Sequence, residues 1–256
     1  MNKTKEIRDL LEKYRDALLR ADVTTATLKN GICYDGIVDE AVFESAPKKV
    51  VFLLKETNGN NSDGERSSEL SDWDYRAWLQ EKQSVSIKIS GEKLYRTFYS
   101  LCMWTDVFYD TLAGNVVSFE DYCADQRLEP ENLRKNLTKI AVINLKKTWG
   151  GGSTKWKDLN SYLQNVGAKE VVQKQLDIIM PDIVICGSRE VFDFAKQIFA
   201  AQEGTLPLSG GKTISYFEAN QRIFLNFYHP ACRKSREFLY NFSAEVFRTL
   251  KNSSLR

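Results

Sequence analysis

Polar or glycine-rich residues follow four short apolar runs of the sequence, and their types are those that carry catalysis and recognition. These segments are Glu56 to Gly59, Asn144 to Ser153, Gly187 with Ser188, and His229 to Ala231. A histidine can donate a hydrogen bond near neutral pH, a carboxylate can activate water, and an asparagine side chain offers both a donor and an acceptor. If the four segments meet in the folded chain, they mark the place where chemistry should be sought.

Each of these polar residues also has a purely structural interpretation. Glu56 is compatible with a helix cap or a solvated loop charge, Asn144 with a turn residue, and His229 with a residue that ends a strand. His229 is the only histidine of the chain. Its position after an apolar run favours a functional role, as does that of Asn144, whereas both interpretations of Glu56 stay open.

A local basic segment lies between residues 132 and 157, although the whole chain has a formal net charge of only +2. The segment contains no acidic residue, and its seven basic residues are Arg134, Lys135, Lys139, Lys146, Lys147, Lys155 and Lys157. Of these, Lys146 and Lys147 precede a glycine-rich loop with Gly151 and Ser153, which suits close contact with phosphates. A second cluster follows His229 and consists of Arg233, Lys234 and Arg236. These basic segments favour a partner that carries phosphates, and a solvated charged surface is the alternative.

Alternation of apolar runs with amphipathic segments indicates which elements position these residues. Strands are predicted at 49–54, 139–144, 182–186 and 222–228, and helices at 4–21, 73–82, 91–112, 130–137, 155–180, 188–201 and 233–251. This order predicts an α/β fold with three layers, α/β/α, around a central, mostly parallel four-stranded sheet. Because ligands bind beyond the carboxyl ends of such strands, all four polar segments should lie at one edge.

Residues 212–217 are predicted to pair with the fourth strand as a β-hairpin. The sequence contains no internal repeat and no linker, so we expect residues 1–256 to form a single domain that begins with the helix at 4–21. The helical spacing of Trp78 and Trp104 predicts that they pack in the core.

Composition excludes several classes of protein. A hydrophobic content of 43% with 27% charged residues is ordinary for a globular chain and excludes disorder. The five cysteines form no CxxC pair and the chain begins without an apolar signal segment, which predicts a reduced, cytoplasmic setting. With one histidine and no apolar stretch of 18 residues, we expect neither a metal site nor a membrane span. A monomer without a cofactor is the expected form.

Several short motifs, in order along the chain, resemble those of the uracil-DNA glycosylase superfamily. Residues 140–153 (IAVINLKKTWGGGS), 171–194 (VVQKQLDIIMPDIVICGSREVFDF) and 227–238 (FYHPACRKSREF) are similar to its asparagine, Gly-Arg-Ala and His-Pro segments. Residues 53–59 (LLKETNG) and 90–94 (SGEKL) match its first motif and its Ser-Gly-Arg-Leu-Leu motif more weakly. The resemblance extends over about residues 49–250.

The resemblance implies an enzyme that flips uracil or a modified pyrimidine out of DNA and hydrolyses its N-glycosidic bond without a metal. His229 would donate to the O2 position of the leaving base, and Asn144 would read the flipped base through two hydrogen bonds. The catalytic water would be positioned by Glu56, Thr57 or Asn58. Glu56 matches the glutamate of the family motif GEAPG, and Thr57 takes the place of the aspartate in GQDPYH.

Other site residues and departures follow from the same comparison. Trp73 and Tyr75 are candidates for stacking on the extruded base. Lys55 stands where the family usually has glycine, and no proline follows in this first motif. The insertion after it, from Asn60 to Trp78, differs from the family segment that shapes the base pocket. The identity of the base is therefore more open than the fold.

Three alternatives remain beside a uracil-type glycosylase. The divergent first motif permits a glycosylase for hypermodified phage bases, with a role in defence. A DNA-binding protein that has lost catalysis is the second, because the first motif lacks the strongest water-activating aspartate. An unrelated α/β hydrolase or nucleotide-binding enzyme ranks last, since residues 204–213 (GTLPLSGGKT) do not have P-loop spacing and no Gly-x-Ser-x-Gly motif occurs.

Overall fold

Apolar runs of the sequence form the strands of a mixed sheet, and amphipathic segments form helices on its two faces. The computed structural model describes residues 2–20, 32–55, 73–74, 76–77, 96–148, 156–164 and 167–253. The strands are β1 (Cys33–Tyr34), β2 (Gly36–Ile37), β3 (Val50–Leu54), β4 (Trp73–Asp74), β5 (Ile140–Asn144), β6 (Ile183–Cys186), β7 (Gly204–Pro207), β8 (Thr213–Ala219) and β9 (Arg222–Asn226). The α-helices are α1 (Lys3–Arg20), α2 (Glu40–Ser45), α3 (Arg96–Ala113), α4 (Phe119–Ala124), α5 (Pro130–Leu133), α6 (Trp156–Leu163), α7 (Ala168–Ile179), α8 (Arg189–Ile198) and α9 (Arg236–Asn252).

The main sheet has the strand order β2-β5-β3-β6-β9-β8-β7. Strands β5, β3, β6 and β9 are parallel neighbours, whereas β2, β8 and β7 pair antiparallel at the two sides. The α/β class is as expected, but the prediction of a mostly parallel sheet with four strands is wrong. The sheet is mixed and has seven strands. The sequence did not predict β2 and β7, because β2 has only two residues and β7 reads Gly-Thr-Leu-Pro, so neither has the apolar run that identifies a strand.

Alternate residues of the buried strands belong to two separate cores, one on each face of the sheet. In β3, Val50, Phe52 and Leu54 pack with helices α3 and α9, whereas Val51 and Leu53 pack with α1 and α7. Both faces are therefore covered, which explains why every residue of β3 and β5 is buried. Trp104 of α3 is fully buried, as its spacing predicted, and Trp78 lies outside the described residues.

Two predicted helices differ from those in the structure. The helix predicted at 155–180 is divided into α6 and α7, because Gly167 at the start of α7 has a φ of 83°, a left-handed conformation that favours glycine. The helix predicted at 73–82 begins instead with β4, which pairs in parallel with β1. Ala77 and its preceding residue are helical, and residues 78–82 lie outside the described ranges.

The helix predicted at 130–137 is short and changes character along its length. Its first turn is α5, and a 3-10 helix, Arg134–Lys139, leads directly into β5. The hairpin predicted after residue 212 is confirmed, since β8 pairs with β9 through Asn220 and Gln221. Both turn residues have positive φ, as a two-residue hairpin turn of type I′ requires.

Serine caps start two helices beside the carboxyl ends of the parallel strands. Ser188 follows β6 and accepts a hydrogen bond from the Val191 amide, so α8 starts at that end of the strand. Ser235 accepts one from the Phe238 amide at the start of α9. Each cap satisfies an otherwise free backbone donor and sets where the preceding loop ends. None of the described helices is both long and apolar enough to cross a membrane.

Candidate active site

The carboxyl ends of the four parallel strands lie at one edge of the sheet. Leu54 is in register with Asn144, and Cys186 is in register with both Leu53 and Asn226. The ladder continues beyond the strands, because the Leu145 amide donates to the Leu54 carbonyl at 2.8 Å. The residues after each strand are thus held side by side, which is the place where open α/β sheets bind ligands.

His229 lies at this edge in a tight turn that follows β9. Its Nδ1 accepts a hydrogen bond from the Ala231 amide at 3.1 Å, and its carbonyl accepts one from the Cys232 amide at 2.8 Å. The hydroxyl of Ser100 in α3 donates to the Pro230 carbonyl at 2.7 Å and connects the turn to this helix. Because Nδ1 is an acceptor, a neutral His229 carries its proton on Nε2.

The electrostatic surroundings of His229 favour its neutral form. Burial lowers the pKa of its imidazole below the ordinary value of 6.5, the positive charge of Lys55 lowers it further, and the charge of Glu190 partly opposes them. Lys55 and Glu190 form an ion pair, with 3.5 Å between Nζ and Oε2. At pH 7 the half-buried imidazole is therefore a neutral hydrogen-bond donor through Nε2.

Gly187 explains how the His229 turn reaches toward β3. A Cβ atom at this position would lie 2.7 Å from Leu54 Cδ2 and 3.2 Å from Pro230 Cδ. The turn therefore passes directly over the end of β6, and only a residue without a side chain leaves room for it. Strands β3 and β9 are two spacings apart, about 10 Å, and this crossing brings His229 within the electrostatic influence of Lys55.

Asn144 lies at the same edge and is almost fully buried, with 2% of its surface exposed. Its backbone amide donates to Asp35 Oδ2 at 2.6 Å. Its side-chain Nδ2 is buried without a hydrogen-bond partner among the described residues. A buried polar atom without a partner is rare and costs free energy, so this donor is suited to a ligand acceptor.

Asp35 and Lys147 form a fully buried ion pair next to Asn144. The Lys147 ammonium lies 2.9 and 3.0 Å from the two carboxylate oxygens of Asp35, and both side chains have 0% exposure. Burial lowers the pKa of Lys147, and the charge of Asp35 opposes that change. The prediction that Lys147 contacts DNA phosphates is therefore wrong, because its charge is directed inward and already bound.

Lys146 is the lysine that precedes this buried pair, and it is placed differently. It is half-buried, and its amide donates to the Lys55 carbonyl at 2.9 Å. The hydrogen bond joins the loops after β5 and β3 at the same edge. Its predicted contact with DNA stays a prediction.

Three predicted cationic residues follow His229 on the surface. Arg233, Lys234 and Arg236 are all exposed. Lys234 Nζ lies 5.2 Å from the centre of the Phe238 ring, and the Arg236 guanidinium lies 4.1 Å from that of Tyr99. The aromatic rings orient Lys234 and Arg236 without neutralising them, so these positive charges remain at the surface after His229.

Sequence reasoning missed two residues of this edge. Tyr228 is 36% exposed and makes edge-to-face contacts with Phe238 and Phe242, so its ring is presented beside His229. Its position directly before the His-Pro pair was the available signal, but the apolar run assigned it to a strand. Asp35 had no local signal, because its partners are more than 100 positions away along the chain.

The remaining predicted site residues lie outside what the structure describes. They are Glu56, Thr57, Asn58, Tyr75, Gly151 and Ser153, together with the side chain of Trp73. The backbone of Trp73 belongs to β4, which forms a separate two-stranded sheet with β1. In the described ranges, no three His, Cys, Asp or Glu side chains are grouped closely enough to hold a metal ion.

Comparison with known proteins does not place the chain in a family. No model of a known protein family matches the sequence, and no curated protein matches it significantly.

Proposed function

We propose that the protein is a DNA glycosylase that releases uracil or a modified pyrimidine and leaves an abasic site. One observation carries the proposal: His229 is held with Nδ1 as an acceptor, and its lowered pKa keeps Nε2 as a neutral donor at pH 7. This donor and the buried, unpartnered Nδ2 of Asn144 lie at the carboxyl ends of strands in the same parallel set.

The chemistry of glycosidic cleavage suits a neutral imidazole. As the C–N bond breaks, negative charge develops on the oxygens of the departing pyrimidine and positive charge on the sugar. A fixed N–H donor directed at the base oxygen stabilises the first of these charges without transferring a proton. The attacking water is assigned to Glu56, Thr57 or Asn58, which come after β3 in the sequence.

The side chain of Asn144 favours a pyrimidine with a carbonyl group as the base that is bound. Its Nδ2 can donate to the O4 position of uracil, whereas cytosine presents an amino donor at the same place. Because the Asn144 side chain is buried, the base must leave the duplex to reach it. The exposed Arg233 and Lys234 suit the phosphates that flank such a flipped nucleotide.

The test uses labelled single- and double-stranded oligonucleotides that contain uracil, other modified pyrimidines or only normal bases. After incubation with excess protein, alkali cleaves any abasic site and identifies the base removed. We expect cleavage by the wild type, loss of cleavage in His229→Ala, and normal cleavage in Lys48→Ala, which removes an exposed lysine at the amino end of β3.

The exposed cations also favour a second candidate, a DNA-binding protein without turnover. This candidate predicts binding that weakens steeply with salt and that depends on Arg233 and Lys234, with no abasic product from any oligonucleotide. Binding without product would overturn the glycosylase proposal. Base release that persists in His229→Ala would overturn the role of the histidine.

A further inference from the structure

Asp35 is positioned by pairing of the sheet beside the end of β5. Strand β2 pairs antiparallel with β5, with Gly36 opposite Val142 and Ile37 opposite Ala141. Asp35 directly precedes β2 and therefore lies alongside the last residues of β5. Its carboxylate reaches the backbone of Asn144 rather than solvent.

The carboxylate of Asp35 has four hydrogen bonds from three donors. Oδ1 accepts from Gln175 Nε2 at 2.8 Å and from Lys147 Nζ at 2.9 Å. Oδ2 accepts from the Asn144 amide at 2.6 Å and from Lys147 Nζ at 3.0 Å. Lys147 and Gln175 therefore hold the carboxylate from two sides. Its short hydrogen bond from the Asn144 backbone amide is restricted to one geometry.

The backbone of Lys147 is also tied down. Its amide donates to the Tyr162 hydroxyl at 3.1 Å, and its carbonyl accepts from the Cys33 amide at 2.7 Å. The segment after β5 is thus joined to α6 and to β1. Asn144 is the last residue of β5 and directly precedes this bound segment, so its backbone has little freedom.

Stability alone does not require charges at these positions. Apolar side chains of similar volume are often as stabilising as a buried ion pair, because both charges lose their hydration. An apolar pair cannot bind the Asn144 amide, whereas a carboxylate makes a short, charge-assisted hydrogen bond to it. The residue so held is the one whose Nδ2 is buried without a partner.

We infer that Asp35 is a positioning residue, which holds the backbone of Asn144 through the buried Asp35–Lys147–Gln175 cluster so that Nδ2 is aimed at the flipped base. This inference rests on the proposed glycosylase function. It predicts that Asp35 acts on the rate and selectivity of base release and not on DNA binding.

The test compares the wild type with a double variant, Asp35→Leu with Lys147→Met, which removes both charges and the acceptor of the Asn144 amide and keeps side chains of similar shape. We expect the single-turnover rate at saturating protein to fall about 10- to 100-fold, since small misplacement of a reacting group has effects of this order. Discrimination between uracil and cytosine should decrease, while the Kd for DNA changes less than about twofold, because the cluster is buried.

A matched control separates positioning from a general loss of stability. Val172→Ala removes fully buried volume from α7, the helix that carries Gln175, without touching the cluster's polar atoms. We expect this variant to lower the urea midpoint and to keep the rate and selectivity of the wild type. A double variant that folds and retains wild-type rate and selectivity would overturn the inference.

A second measurement does not depend on catalysis. Hydrogen exchange at the Asn144 amide should be at least about tenfold faster in the double variant, while exchange at Phe52 in the neighbouring strand should not change. Unchanged exchange at Asn144 would overturn the inference even if the wild type releases no base. Absence of base release by the wild type, with faster exchange at Asn144, would overturn the proposed function alone.

Discussion

The two sides of the candidate site are built differently, although both lie at the same edge of the sheet. On the Asn144 side, a fully buried carboxylate accepts a hydrogen bond from one backbone amide at 2.6 Å and two from a buried ammonium at 2.9 and 3.0 Å. On the His229 side, the charged neighbours are an ion pair at 3.5 Å whose side chains are 19% and 43% exposed. The first side is rigid and shielded from solvent, and the second is open to it.

The difference indicates a division of roles between geometry and charge. A buried cluster fixes the position of a hydrogen-bonding residue but responds little to salt or pH. A half-buried imidazole between Lys55 and Glu190 responds to both. Recognition at Asn144 should therefore depend on structural integrity, and donation by His229 should depend on the local electrostatic potential.

The largest expected effect is on stability, from breaking the buried pair. Asp35→Ala leaves the Lys147 ammonium buried and unpaired, and we expect the free energy of unfolding to fall by about 3–5 kcal/mol. Lys55→Met on the opposite side should cost less than about 1 kcal/mol, because the ion pair is long, at 3.5 Å, and its partner Glu190 is partly exposed to solvent. Urea denaturation at pH 7 measures both.

The double variant Asp35→Ala with Lys147→Met sharpens this prediction. It removes the unpaired charge and should recover part of the lost stability. Equal losses for Asp35→Ala and Lys55→Met would mean that the two sides do not differ in this way.

Replacing His229 should affect rate far more than stability. His229→Ala removes the Nε2 donor, and we expect base release about 100- to 1,000-fold slower, the usual cost of one lost donor to a developing anion. The free energy of unfolding should change by less than about 1 kcal/mol, since the side chain is only half-buried. Single-turnover kinetics and urea denaturation on the same preparation measure the two quantities.

His229→Gln gives a matched variant for this prediction, because its side-chain amide still offers an N–H donor. We expect Gln to retain more activity than Ala. If both variants are equally slow while remaining folded, hydrogen-bond donation is not what His229 contributes.

Gly187→Ala tests the crossing of the His229 turn over the end of β6. The added Cβ would meet Leu54 Cδ2 at 2.7 Å and Pro230 Cδ at 3.2 Å, so the turn must shift. We expect a loss of about 1–3 kcal/mol in stability and about tenfold slower base release, because the displaced turn carries His229.

Gly204→Ala is the matched control for that crossing. Its Cβ would lie 2.8 Å from the Tyr216 ring in the hairpin, away from the turn that carries His229. Stability should fall in a similar way with no change in rate. A rate that falls equally in both variants would show that the Gly187 effect is not specific to the crossing.

Sequence patterns were sufficient for the centre of the fold because its strands are long and apolar on both faces. Val50–Leu54 and Ile140–Asn144 are buried along their whole length, and runs of this kind are recognisable without tertiary information. The short edge strands β2 and β7 exist only because neighbouring strands offer hydrogen-bonding partners. Their formation depends on tertiary context that no local pattern contains.

The same distinction applies to the candidate site. His229 was recognisable from its own neighbours, since a histidine after an apolar run is a local feature. Lys147 was misassigned because a basic residue reads as surface until its partner is known. That partner, Asp35, is 112 positions away and is brought into contact only by pairing of β2 with β5.

The smallest expected effect is a shift in the titration of His229. As the only histidine, it gives one imidazole Cε1–H resonance whose pH dependence reports its pKa directly. We expect a pKa below 6.5, because burial and the charge of Lys55 both disfavour the protonated form. Lys55→Met should raise the pKa toward its ordinary value, and Glu190→Gln should lower it further, since Glu190 opposes the downward shift.

The sign of this shift also sets a pH dependence of stability. The unfolded chain binds a proton at His229 more readily than the folded chain, so the contribution is fully present above pH 6.5. It is lost as the pH falls through the lower pKa of the folded state, and Lys55→Met should reduce this loss. An unchanged titration in both Lys55→Met and Glu190→Gln would mean that neither charge acts on the imidazole, and the open side of the site would then be controlled by burial alone.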